Sequence, residues 1–96
     1  MIAPLQAKTI VILGDSLSAG FGVTLEHSWV EMLRTKIKKL NSQYLVVNLS
    51  TSGDTSRNGL NKLKRAYSKY TVDVLVIQIG SNDALRGIRL KELRKN

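Results

Sequence analysis

With 96 residues, 43% of them hydrophobic and 23% charged, the chain has room for one globular domain, residues 1–96, and is too apolar for a disordered segment. It has no cysteine, which excludes disulfides and thiolate metal sites. No run approaches the roughly 18 consecutive apolar residues that would span a bilayer, so no integral membrane segment is expected. The net charge of +8 would attract phosphate, but the basic residues sit at helical spacing among apolar ones. Arg34, Lys36, Lys38 and Lys39 fall in one such segment, Lys62, Lys64, Arg65 and Lys69 in the next. They read as solvated helix faces, and no nucleic-acid partner is expected.

In chain order, A-P-L-Q-A at residues 3–7 reads as a frayed lead into the first strand, or as the small-residue remnant of a secretory signal. TIVIL at 9–13 is a β-branched apolar run ended by Gly14, as in a parallel strand buried on both faces. Residues 28–40 predict a helix with Trp29, Leu33, Ile37 and Leu40 on its apolar stripe and a Ser28–Glu31 capping box. Asn41 and Ser42 break it, and YLVVNL at 44–49 is the second strand. A small polar loop, STSGDTS, leads into a second helix over about 56–70, with Leu60, Leu63, Tyr67 and Tyr70 as its stripe. VDVLVIQIG at 72–80 is the third strand, SNDALRG a loop and IRLKELRKN a basic helical start. Strand and helix alternate, which builds an α/β fold with a parallel sheet and helices on both faces.

In such a sheet the loops leaving the carboxyl ends of the strands share one edge, and ligands bind there. Those loops are GDSLSAG, STSGDTS and GSNDALRG, all rich in Gly, Ser, Asn and Asp. A phosphate loop is excluded because Ala19 stands at its second glycine and no Lys follows. A dinucleotide fingerprint fails at Leu25, and a G-x-S-x-G elbow at Ser18. An acyl-transfer site fits instead: a serine exposed past a strand end, with Gly53 offering a backbone N–H and Asn82 a side-chain amide to an oxyanion.

G-D-S-L at 14–17, Gly53 within SGDTS, and G-S-N-D at 80–83 together resemble the first three sequence blocks of the SGNH, or GDSL, hydrolase superfamily. The longer strings ILGDSLSAG, SGDTS and GSNDALRG are most similar to its bacterial arylesterase and acyl-CoA thioesterase branch. The resemblance implies a three-layer, flavodoxin-like α/β/α sheet, here truncated after the third strand. It implies that Ser16 is the nucleophile, and that the Ser16 N–H, the Gly53 N–H and the Asn82 amide form the oxyanion hole. Asp15, Leu85 and Arg86 would border the substrate, a small ester or thioester carrying an acyl chain, cleaved without metal or organic cofactor. The related enzymes are often periplasmic or secreted; a chain complete as given would be cytoplasmic.

The family's fourth block, D-x-x-H, brings the general base and the Asp that orients it, and it does not occur here. The only histidine is His27, with Thr24 three residues before it. The expectation is therefore the N-terminal portion of an SGNH hydrolase, with His27 an exposed polar residue near a helix start rather than a substitute base. Asp15, Asp54 and Asp83 read first as acids that brace loops, and Ser18 as the weaker candidate nucleophile. An uncovered third strand would expose an apolar edge that invites self-association. The alternatives are a catalytically silent fragment or acyl-binding module and, behind it, a small basic nucleic-acid-binding protein.

Overall fold

The apolar run predicted as the first strand forms β1 (Lys8–Gly14), the middle strand of a parallel sheet in the computed structural model, which describes residues 8–40 and 43–96. The A-P-L-Q-A stretch and the helix breakers Asn41 and Ser42 lie outside the described residues. β2 (Tyr44–Asn48) and β3 (Val74–Gln78) flank β1 in the order β2-β1-β3, with Lys8 opposite Tyr44 and Ile10 opposite Val74. Ile10, Val11, Ile12 and Leu13 are all buried, as a strand covered on both faces requires.

Side chains alternate across the sheet, so the two faces have separate partners. Ile10, Ile12 and Val46 meet Val30, Leu33 and Ile37 of α2 (Trp29–Leu40). Leu13, Ile77 and Ile79 face Gly59, Leu60 and Leu63 of α3 (Ser56–Lys69) across an apolar cleft. The result is three layers, α/β/α. Order 2-1-3 opens the flavodoxin-like winding, whose switch point lies between β1 and β3. Among the described residues no helix is long and apolar enough to cross a membrane.

The buried stripes differ from those read off the sequence. On α2 the deepest residue is Val30, while Leu40, the last residue of the helix, is exposed and Trp29 sits at the rim. On α3 the buried residues are Ser56, Gly59 and Ala66, and Tyr67 is exposed. Small residues let α3 approach the sheet closely: a Cβ on Gly59 would stand 3.1 Å from the Ile79 Cδ1. A search for large apolar side chains passes over such a stripe. The Ser28 Oγ accepts the Glu31 N–H at 3.3 Å, but the reciprocal arm of the expected capping box is absent because Glu31 pairs with Arg34.

Two segments expected as loop contain short helices. Ser16–Ala19 (α1) follows β1, and Ser81–Leu85 (α4) follows β3; α5 (Leu90–Lys95) ends the chain after them. Between α1 and α2, Leu25–His27 makes a single 3₁₀ turn. Among the described residues β3 pairs only with β1, and Ile77 on it is 59% exposed.

Ile12 is fully buried in the cluster that joins β1, β2 and α2. Ile12→Ala is expected to cost about 2–5 kcal/mol by urea unfolding, enough to leave a small domain largely unfolded. A loss below about 1 kcal/mol would contradict its place at the centre of the core.

Candidate active site

β1 ends at Gly14 and the chain turns at once into α1. The turn is tight because Gly14 lacks a side chain: a Cβ there would lie 2.6 Å from the Ser18 Cβ and Oγ and 2.9 Å from the Gln78 Oε1. Asp15 caps α1, its Oδ1 accepting the Leu17 N–H at 3.1 Å, and Gly20 closes it in the left-handed region at φ 85°. Of the two serines, Ser18 is fully buried; it donates to Gln78 Oε1 at 2.8 Å and accepts from Trp29 Nε1 at 3.2 Å. Its carbonyl takes the Asn48 amide at 2.9 Å. Ser18 is thereby committed to structure. Ser16, half-buried at the first position of α1, has an Oγ that makes no hydrogen bond among the described residues.

The three sheet-end loops are hydrogen-bonded to one another in all three pairings. The Thr51 N–H donates to the Gly14 carbonyl at 3.2 Å, joining the loop after β2 to the end of β1. The Ser81 hydroxyl donates to Asp15 Oδ2 at 2.8 Å, joining the loop after β3 to the Ser16 turn. The Asn82 amide donates to the Asp54 carbonyl at 3.0 Å, and the Arg86 guanidinium to the Gly53 carbonyl at 3.0 Å. Asp83, also buried, accepts from both the N–H and the hydroxyl of Ser56 at 2.7 Å, capping α3 from the neighbouring loop. Asp15 is 1% exposed. Burial pushes its carboxyl up, but hydrogen bonds from the Ser81 hydroxyl and the Leu17 N–H outweigh that and hold it below its ordinary value.

Gly53 stands third in a four-residue turn closed by the Asp54 N–H on the Thr51 carbonyl at 3.2 Å. Its φ of 87° is what that position of a type II turn demands. Its own N–H has no partner among the described residues. Asn82 sits in the first turn of α4, which starts from Gly80 at φ 131°. An amide carries two N–H donors, and the Asp54 carbonyl takes one of them.

Ser16, Gly53, Asn82, Asp15 and Arg86 are thus joined through one hydrogen-bonded set, while Leu85 ends α4 and is exposed. His27 is not joined to it: its Nδ1 shares a hydrogen bond with the Thr24 Oγ1 at 2.9 Å on the exposed 3₁₀ turn. Asp54 and Asp83 brace loops, as their residue types suggest. Ser81, Gln78 and Lys62 were missed by sequence reasoning. Each acts across at least eight residues of chain (Lys62 on Asp54, Gln78 on Ser18, Ser81 on Asp15), so no local pattern signals them. Among the described residues no group of three or more His, Asp or Glu is disposed to hold a metal ion.

The sequence profile of the GDSL-like Lipase/Acylhydrolase family matches residues 12–96. An arylesterase of Vibrio mimicus is 38% identical over 90 residues, which cover 94% of this chain and 45% of that enzyme. Thioesterase 1/protease 1/lysophospholipase L1 of Escherichia coli (strain K12) is 40% identical over 83 residues, covering 86% of this chain and 38% of that protein. The solved structure of the psychrotrophic esterase EstA from Pseudoalteromonas sp., inhibited by monoethylphosphonate, superposes with a TM-score of 0.82 at 38% identity, over 92% of this chain and 48% of that one. The chain spans less than half the length of each of these relatives.

Because the Asp15 carboxyl is held below its ordinary value of 3.8, its stabilising contribution is complete above that pH and is lost as the pH falls through the lowered folded value. Asp15→Asn is expected to be less stable than the native chain near neutral pH, with the gap closing below a pH of about 4. Urea melts at several pH values read this directly. A gap that stays constant into acid would mean that the charge of Asp15 does not hold the turn.

Proposed function

The chain belongs to the GDSL-like Lipase/Acylhydrolase family, and on that premise we propose that it carries the nucleophile and oxyanion half of a serine hydrolase for carboxylic esters and thioesters. The observation that carries this reading is the pairwise bonding of the three sheet-end loops, which carry a serine hydroxyl and a glycine N–H unbonded among the described residues and an amide with a second donor. The relatives, an arylesterase and a thioesterase/lysophospholipase, agree with such substrates.

The Ser16 Oγ attacks the carbonyl carbon while its proton passes to a base, and the carbonyl electron pair moves onto oxygen. That oxyanion takes hydrogen bonds from the N–H groups of Ser16 and Gly53 and from the free donor of Asn82. Collapse expels the alcohol or thiol, which leaves with the proton from the base; water then repeats the sequence on the acyl-serine and releases the acid. Leu17 and Phe21, 70% and 77% exposed, flank Ser16 and offer apolar contact to the acyl chain, with Leu85 and Arg86 on the opposite loop. The reading needs no metal or organic cofactor and no nucleic acid. The edge of β3, unpaired among the described residues, supports self-association of the chain.

The base is the open half. His27, the only histidine in the sequence, sits on the exposed 3₁₀ turn and, among the described residues, has no hydrogen bond to the three loops, so turnover at Ser16 requires another base. A second reading, a silent acyl-binding module, is favoured because no base is hydrogen-bonded to the Ser16 Oγ among the described residues.

Intact-mass analysis after exposure to a serine-directed fluorophosphonate separates the two. The native chain is expected to gain one adduct slowly, about tenfold faster with free imidazole as the base, and Ser16→Ala none. A folded native chain that stays unmodified even with imidazole would overturn the hydrolase reading and leave the binding module.

A further inference from the structure

Lys62 sits in the second turn of α3, on what the sequence presents as a solvated basic face. The structure puts it elsewhere: its side chain is only 21% exposed. An ammonium group has three N–H donors, and here three acceptors meet it. They are the Leu49 carbonyl at 3.0 Å, the Thr51 Oγ1 at 2.5 Å and the Asp54 Oδ2 at 2.5 Å. Thr51 and Asp54 are the first and last residues of the turn that holds Gly53, so a single side chain grips both ends of that turn. Asp54 also supplies the carbonyl that fixes the Asn82 amide. Lys64, two residues on, is exposed and makes no hydrogen bond among the described residues.

We infer that Lys62 is a positioning residue, which aims the Gly53 N–H, and through Asp54 the Asn82 amide, at the reacting carbonyl oxygen. The ion pair with Asp54 is not an ordinary surface pair, because both partners are mostly covered and the ammonium is fully hydrogen-bonded. Lys62→Met keeps the stem but leaves the Asp54 carboxylate and the Leu49 carbonyl unpartnered, so the turn loses the group that closes it. Lys62→Arg keeps charge and donors. The catalytic consequence rests on the hydrolase reading above; the structural one does not.

The backbone of Gly53 is followed by 15N relaxation in the chain of residues 1–96, alongside the rate at which fluorophosphonate modifies Ser16. In Lys62→Met the Gly53 order parameter is expected to fall from about 0.85 to below about 0.6, with the amides of β1 and α2 unchanged. Modification of Ser16 should slow about tenfold, equivalent to about 1.4 kcal/mol of lost oxyanion stabilisation. Lys62→Arg and the control Lys64→Met should stay within about twofold of the native rate. A Gly53 as rigid in folded Lys62→Met as in the native chain overturns the inference, and so does a loosened Gly53 with an unchanged rate. If Lys62→Met does not fold, Asp54→Asn removes only the ion pair and must loosen Gly53; a rigid Gly53 there overturns the inference equally. A native chain that is never modified sinks the hydrolase reading alone, and the relaxation data still decide whether Lys62 holds the turn.

Discussion

A carboxylate buried at the carboxyl end of the central strand is the constraint from which the rest of the site follows. Asp15 can be both buried and charged only because donors surround it, the Leu17 N–H from its own turn and the Ser81 hydroxyl from the loop after β3. The first bond starts α1 and so sets the backbone direction of Ser16. The second brings α4 against the Ser16 turn, and with it Asn82, whose amide reaches the Asp54 carbonyl beside Gly53. One charge thus orders two loops directly and the third through Asn82.

This arrangement takes much of the little interior the chain has. Among the described residues the polar side chains of Asp15, Ser18, Ser28, Thr55, Ser56 and Asp83 are buried, against seven buried apolar ones, so the interior is shared between the core and the polar groups that hold loops and helix starts. A domain this small has little hydrophobic stabilisation in reserve. Its stability and the geometry of its site are therefore linked: loosening a loop bond exposes a buried polar group as well as misplacing a donor.

The sheet and the order of its elements were legible because their signals are local. TIVIL is a short β-branched apolar run stopped by Gly14, as a strand buried on both faces requires, and the helical stripes recur every three or four residues. The proposed site residues stand out in the sequence as types in a pattern, Ser16, Gly53 and Asn82 each in a loop that follows a strand. What stayed hidden depends on contacts between distant segments. The sequence favours Ser16 over Ser18 in GDSLSAG, but what holds Ser18, its bonds with Gln78 and Trp29, comes from distant segments. Lys62 is one lysine among several on its helix until the turn at 51–54 folds against it. The single-turn helices α1 and α4 read as loop because Asp, Ser, Asn and Gly serve caps and turns with the same side chains.

In the proposed mechanism these loops are pre-set to receive an oxyanion. A crystal structure of the chain phosphonylated at Ser16 tests this most directly, because the phosphoryl oxygen occupies the position of the tetrahedral oxyanion. That oxygen is expected about 2.7–3.1 Å from both the Gly53 nitrogen and the Asn82 Nδ2, with the Asp15–Ser81 and Lys62–Asp54 bonds intact. An oxygen turned to solvent, with Gly53 and Asn82 out of reach, would contradict it.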